Sequence, residues 1–311
     1  MAVSHSYKLY EMRYSMISQL SKIYPSLQVH RQGAPAADPA YKWFSAEDGL
    51  IVGIHETELA PKDLLLLSAF LTPYNPKFPV HTDEETRWLA AVNPSAQGNV
   101  NGFSLNSPYR FVHFSIKEKQ ISPTAFKHAV LDFFAQQVPI LWENDHQGIL
   151  VEYLAAEDGA ISYEEIIDPL MSDLYIKIQF FVGPFHDSLD EAAAHYRAVA
   201  DAAKTAVLYS NKAVVSYADA VPYLLINQAQ EPLLSDISKS ILQAYQNDEE
   251  TLKMIEAFVR NNLNISETSK ALHMHRNSLQ YRLDRFHDNT GIDVRKFHQA
   301  VAVYLAILIQ K

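Results

Sequence analysis

The residues best suited to chemistry lie near the end of the chain, in the run His275-Arg276-Asn277-Ser278-Leu279-Gln280-Tyr281-Arg282-Leu283-Asp284-Arg285-Phe286. Leu279, Leu283 and Phe286 recur at i, i+4 and i+7, the spacing of one buried helical stripe. The opposite face carries Asn277, Gln280, Tyr281 and Asp284, flanked by Arg276, Arg282 and Arg285. Arginine can bond guanine at two points, and asparagine or glutamine can do the same to adenine. Arg276, Asn277 and Gln280 are therefore the expected base readers. Ser266, Thr268, Ser278, Tyr281, Arg282 and Arg285 are expected to hold phosphates. Helix N-termini expected at Ser266 and at or near His275 would add to that attraction.

Such a face needs a scaffold, and residues 251–291 supply one. A first helix buries Leu252, Ile255 and Phe258 or Val259, and Asn261 to Asn264 break it. Ser266 is expected to cap a short second helix whose inner face is Thr268, Ala271 and Leu272. A tight turn at His273-Met274 leads to the third helix, which stops at Gly291. A short helix, a tight turn and a helix rich in Arg, Asn and Gln at its start is the pattern that places a helix in the major groove.

The segment SETSKALHMHRNSLQYRLDRF resembles the C-terminal helix-turn-helix of PucR/CdaR-like bacterial transcriptional regulators. Their signature is a His-Arg-Asn-Thr/Ser-Leu-x-Tyr-Arg-Leu run, which stands here as His275 to Leu283 with Ser278 in the hydroxyl position. The likeness extends back to about Tyr217 and forward through Gly291-Ile292-Asp293, close to a third of the chain. It implies a regulator that binds double-stranded DNA, often as an activator of genes for using a particular metabolite. Signal input would come from the N-terminal region.

Net charge is −10, an unusual balance for a DNA binder until it is divided along the chain. From Thr251 onward there are nine of the 26 basic and five of the 36 acidic residues, which leaves 17 and 31 elsewhere. The positive balance thus sits at one end of an acidic body. The absence of cysteine removes disulfides, thiolate metal sites and a cysteine nucleophile. Glycine is scarce, 9 residues in 311, where ~7% is usual, which counts against phosphate-cradling loops. The longest apolar run, Ala300 to Ile309, falls short of the roughly 18–20 residues of a membrane span. With no signal-peptide core at the N-terminus, a cytoplasmic protein with no membrane partner is expected.

An α+β chain in three parts is expected. Residues 1–105 form an N-terminal mixed α/β region, the candidate for sensing a small-molecule effector. It contains an amphipathic helix over 7–24, a loop over 25–40, a hairpin turning at Asp48-Gly49 and helices over 62–71 and 82–92. Residues 93–108 read as a linker. Residues 106–215 read β-α-β-β-α-β-α, a ferredoxin-like order, with capping boxes at Ser162/Glu165 and Ser188/Glu191. Residues 216–311 form the all-helical helix-turn-helix domain. Its last helix, Val294 to Ile309, is apolar on most sides and must be buried in its own domain or against a partner.

The resemblance also implies a degenerate GGDEF-like (diguanylate cyclase) centre. Cyclase chemistry needs glycines at the central hairpin and carboxylates for metal. The hairpin here reads Trp142-Glu143-Asn144-Asp145-His146-Gln147-Gly148, without paired glycines. His55-Glu56 lacks the second histidine of a zinc-protease helix, and no G-x-S-x-G or phosphate loop occurs. His273-Met274-His275 lies in the turn that must meet DNA, so a metal role is not expected. No catalytic residue, metal or cofactor is predicted. A homodimer is expected, because one helix-turn-helix contacts too little DNA for high specificity. The competing readings are a nucleotide-processing enzyme on the central domain and an interaction scaffold that has lost DNA binding.

Overall fold

The computed structural model describes residues 17–31, 38, 40–45, 50–68, 70–75, 78–79, 81–93, 103–134, 137–155 and 160–311. Two compact units emerge. The first comprises residues 1–110, 114–178 and 186–193, the second residues 111–113, 179–185 and 194–311.

The first unit begins with a helix, α1, described over residues 17–23; the rest of the expected 7–24 helix lies outside the described residues. Strands β1 (Gln28–Arg31), β2 (Tyr41–Ser45), β3 (Leu50–His55) and β4 (Thr72–Tyr74) form an antiparallel sheet of order β1-β3-β2-β4. The predicted hairpin is β2-β3, though its Asp48-Gly49 turn lies outside the described residues. Trp43 faces Gly53 across it, and a Cβ at Gly53 would sit 2.5 Å from the indole ring. Only glycine lets Trp43 lie flat there.

Two expectations change in this sheet. Residues 28–31 are strand rather than loop, an edge strand too short to show a period and fixed by its partner β3. Pro73 sits inside β4, where an edge position tolerates a missing N–H. Helix α2 (Pro61–Ser68) is shorter than expected. Helix α3 (Asp83–Val92) starts at a full capping box between Thr82 and Glu85. Most of the expected 93–108 linker lies outside the described residues.

A second sheet has the order β6-β7-β5-β8-β9, from β5 (Tyr109–Ile116), β6 (Ile140–Asn144), β7 (Gln147–Tyr153), β8 (Ile178–His186) and β9 (Val214–Ser216). Both β5 and β8 contribute residues to each unit. With α4 (Pro123–Phe134), α5 (Tyr163–Leu174) and α6 (Ala192–Tyr209) the chain order is the expected β-α-β-β-α-β-α. The short strand β9, parallel to β8, is an addition.

Three local corrections follow. Ser162 makes no side-chain cap, and the Glu165 amide turns to the Ser162 carbonyl instead, at 3.2 Å. The apolar run Tyr175 to Val182 reads as a strand from its first residue, yet β8 begins at Ile178, because Tyr175 takes a left-handed φ of 53° to close α5. Helix α6 starts at Ala192, later than a Ser188 cap required.

The second unit continues with α7 (Tyr217–Gln228), α8 (Glu231–Leu242), α9 (Glu249–Arg260), α10 (Ile265–Ala271), α11 (Arg276–Thr290) and α12 (Phe297–Ile309). Leu242, Leu252, Ile255, Phe258, Leu279, Leu283, Phe286, Val303 and Ile307 belong to one buried cluster. The apolar helix α12 is seated within its own domain, chiefly against α8 and also α9 and α7. No described helix is long and apolar enough to cross a membrane.

Candidate nucleic-acid interface

Helix α9 is capped by Asp248, whose side chain accepts from the Thr251 amide (3.1 Å) and hydroxyl (2.7 Å). Those two bonds, and then the charges of Arg282 and Arg285, hold the Asp248 carboxyl below its ordinary value. At its far end α9 leaves through two left-handed residues, Asn262 (φ 56°) and Leu263 (φ 58°). The chain thereby re-enters helix two residues earlier than the sequence suggests. Asn264, not Ser266, caps α10: its Oδ1 accepts from the Ser266 amide (2.9 Å) and the Glu267 amide (3.2 Å).

Helix α10 buries Thr268 and Ser269, whereas Ala271, expected inside, is exposed. The chain then reverses without a glycine. His273 adopts φ 49°, the Met274 amide donates to the Ser269 carbonyl (2.8 Å), and the His273 amide donates to that of Lys270 (3.1 Å). This is a Schellman closure, which satisfies the last carbonyls of α10. His275 caps α11 as expected, its Nδ1 accepting from the Asn277 amide at 3.2 Å. That bond assigns the proton of the neutral ring to Nε2. Gly291, at φ 74°, ends the helix in the left-handed conformation that favours glycine.

The packing of α11 orients the rest. Leu279 and Phe286 are fully buried and Leu283 nearly so. Arg276, Asn277, Ser278, Gln280, Tyr281 and Arg285 are all exposed, and Tyr281 is 66% exposed despite its ring. Asn277, Ser278, Tyr281, Arg282 and Arg285 line one wall of an open groove of 1060 Å³. Tyr245, Asp248, Glu250 and Thr251 line the other. Arg282 is half-buried and ion-paired to Glu250. Among the described residues Arg276 and Arg285 make no direct ion pair, while Arg295 is held by Asp284 (2.6 Å) and Asp293 (2.7 Å).

Two expected phosphate holders stand apart from this face. Thr268 is fully buried, and its hydroxyl donates to the Asn264 carbonyl at 2.7 Å. It braces the turn between α9 and α10. Ser266 is half-buried beside the cap, its carbonyl accepting from the Ser269 hydroxyl. The sequence places Asp248, Glu249 and Glu250 at the start of α9, where the helix dipole favours negative charge, and the structure agrees. It does not give the Asp248 and Asn264 caps, whose signals are the Asp-x-x-Thr and Asn-x-x-Glu spacings, nor the reach of Glu250 across to Arg282.

Known proteins resemble the chain to different extents. Residues 251–309 match the family described as the PucR C-terminal helix-turn-helix domain. The chain is 29% identical over 276 residues to the uncharacterized protein YxkF of Bacillus subtilis (strain 168), covering 86% of this chain and 90% of that one. It is 25% identical over 164 residues to the carbohydrate diacid regulator of Escherichia coli (strain K12), covering 50% of this chain and 42% of the regulator. A crystal structure of a regulator of polyketide synthase expression from Bifidobacterium adolescentis aligns with a TM-score of 0.34 and 17% identity, over 74% of this chain and 94% of that one. Residues 251–309 are thus a PucR-type helix-turn-helix DNA-binding domain, and the chain is similar to PucR/CdaR-like transcriptional regulators.

Proposed function

We propose that this regulator reads duplex DNA sequence-specifically, as a homodimer, and activates transcription in response to a small-molecule effector. The observation that carries the reading is the outward polar face of α11. Arg276, Asn277 and Gln280 stand at its start, fixed from behind by Leu279, Leu283 and Phe286. A helix presented this way offers bidentate donors to base edges, and Ser278, Tyr281, Arg282 and Arg285 lie further along for phosphates. Two copies would read half-sites a helical turn apart.

We assign effector input to residues 1–105 and a ferredoxin-like, degenerate GGDEF-like role to 106–215, with 216–311 binding DNA. The name of the Escherichia coli relative makes carbohydrate diacids the first effectors to try. Gly148 supports a non-catalytic centre. A Cβ there would lie 2.7 Å from the Leu141 carbonyl and 3.0 Å from the Phe114 ring, so strand packing accounts for this glycine. The protein is proposed to act in the cytoplasm and to catalyse nothing.

The test is binding of the full chain to selected genomic fragments across a salt series. Arg276→Ala should weaken specific binding by ~1–3 kcal/mol and relax base preference, while Arg285→Ala weakens all sequences alike and lowers the salt slope by about one. A chain that binds no duplex in a salt-dependent way overturns the reading.

A further inference from the structure

We infer that Glu250 is a built-in competitor of the DNA backbone, pairing with Arg282 across the groove and thereby setting how tightly, and with what salt dependence, this domain holds any duplex. The inference rests on the DNA-binding reading and goes beyond it by naming an acidic residue as part of the interface.

Acidic residues in the first turn of a helix are ordinary, since the dipole favours them. That explains why Glu249 and Glu250 are acidic, but not where each goes. Glu249 pairs with Lys253 of its own helix at 2.9 Å. Glu250 reaches from α9 to Arg282 of α11, 32 residues away in sequence. Asp248 lies in the same groove, close enough for the Arg282 and Arg285 charges to act on it. Two carboxylates thus share the groove with two of the expected phosphate-holding arginines.

The pair is solvent-facing, with side-chain exposures of 36% for Arg282 and 74% for Glu250. Such a pair contributes little to the fold and is readily exchanged. A phosphate can replace the carboxylate on Arg282, but the carboxylate stays in the groove and repels it. A guanidinium already neutralised by Glu250 also displaces fewer counterions when it meets DNA, which flattens the salt dependence. Glutamine has the same size and can still bond Arg282, but lacks the charge.

The experiment measures the full-length chain binding a pool of random-sequence duplexes over a range of salt. Glu250→Gln should tighten binding several-fold at low salt and steepen the logarithmic salt slope by up to about one. The gain should shrink in an Arg282→Ala background, where only the repulsion of phosphate is relieved. Glu249→Gln makes the same change in net charge one residue away and should move binding much less. If wild type binds while Glu250→Gln binds no tighter, or if Glu249→Gln gives an equal gain, the inference fails and the DNA-binding reading stands. If wild type binds no duplex at all, both fail.

Discussion

The two units treat the same residue types in opposite ways. In the first, Arg110 and Glu152 are enclosed: the guanidinium Nε donates to one carboxylate oxygen at 2.8 Å and Nη2 to the other at 3.0 Å. Glu152 also accepts from the Tyr163 hydroxyl (3.0 Å) and the Ile161 amide (3.1 Å), while Arg110 donates to the Ile161 carbonyl (2.8 Å). Burial first, and then the Glu152 charge, raise the Tyr163 hydroxyl well above its ordinary value, which keeps it a donor. In the second unit the arginines of α11 point outward from a stripe of Leu and Phe. An inward charge with several partners fixes the fold. An outward one on a rigid helix is available to a ligand.

The strongest way to break that comparison is Glu152→Ala. It leaves Arg110 buried without its carboxylate, and removing one partner of a buried pair costs about 3–5 kcal/mol. Urea unfolding should show that loss, whereas Arg276→Ala should leave stability within ~0.5 kcal/mol of wild type. Equal unfolding midpoints for the two variants would erase the distinction.

A buried histidine should produce a similar loss, dependent on pH. His113 on β5 is 6% exposed, and burial first, helped by Lys204, lowers its pKa from 6.5 to about 4. The folded state then binds fewer protons than the unfolded chain between those values. Stability is therefore full above 6.5 and falls as the pH drops toward about 4, by about 3 kcal/mol in all. Urea unfolding across that range checks the sign, and His113→Asn should flatten the dependence. An unchanged pH dependence in that variant would assign the acid sensitivity elsewhere.

What could be read in advance follows the range of the interaction responsible. The stripe Leu279, Leu283 and Phe286 was legible because its period lies within one helix, as was the outward face it implies. The β6-β7 hairpin was legible through the polar run Glu143 to Gln147, where the turn and both strands are local, although the strands extend into that run and leave only Asp145-His146 as the turn. Strand β1 was not, since four residues become strand only through β3. The Arg282 to Glu250 pair joins residues 32 positions apart, and no local pattern encodes it. Thr268 fitted two expectations, as an inner-face residue and as a phosphate holder. Threonine carries both a methyl and a hydroxyl, and burial on α10 settles which one counts.

The smallest effect is also the sharpest on this boundary, because it concerns a polar group of the DNA-binding unit that turns inward. Asn264 bonds two otherwise unsatisfied amides at the start of α10, and capping asparagines are worth ~1 kcal/mol. Asn264→Ala should therefore lower thermal stability by about that amount, while Ser266→Ala, which removes no cap, costs under ~0.5 kcal/mol. Asn264 adjoins the interface yet turns inward to backbone partners as Glu152 does, so its loss should shift the melting temperature and leave base preference unchanged. A variant that melts like wild type but prefers different bases would place Asn264 with Arg276. Orientation toward backbone or solvent would then no longer separate the residues that build this domain from those that read DNA.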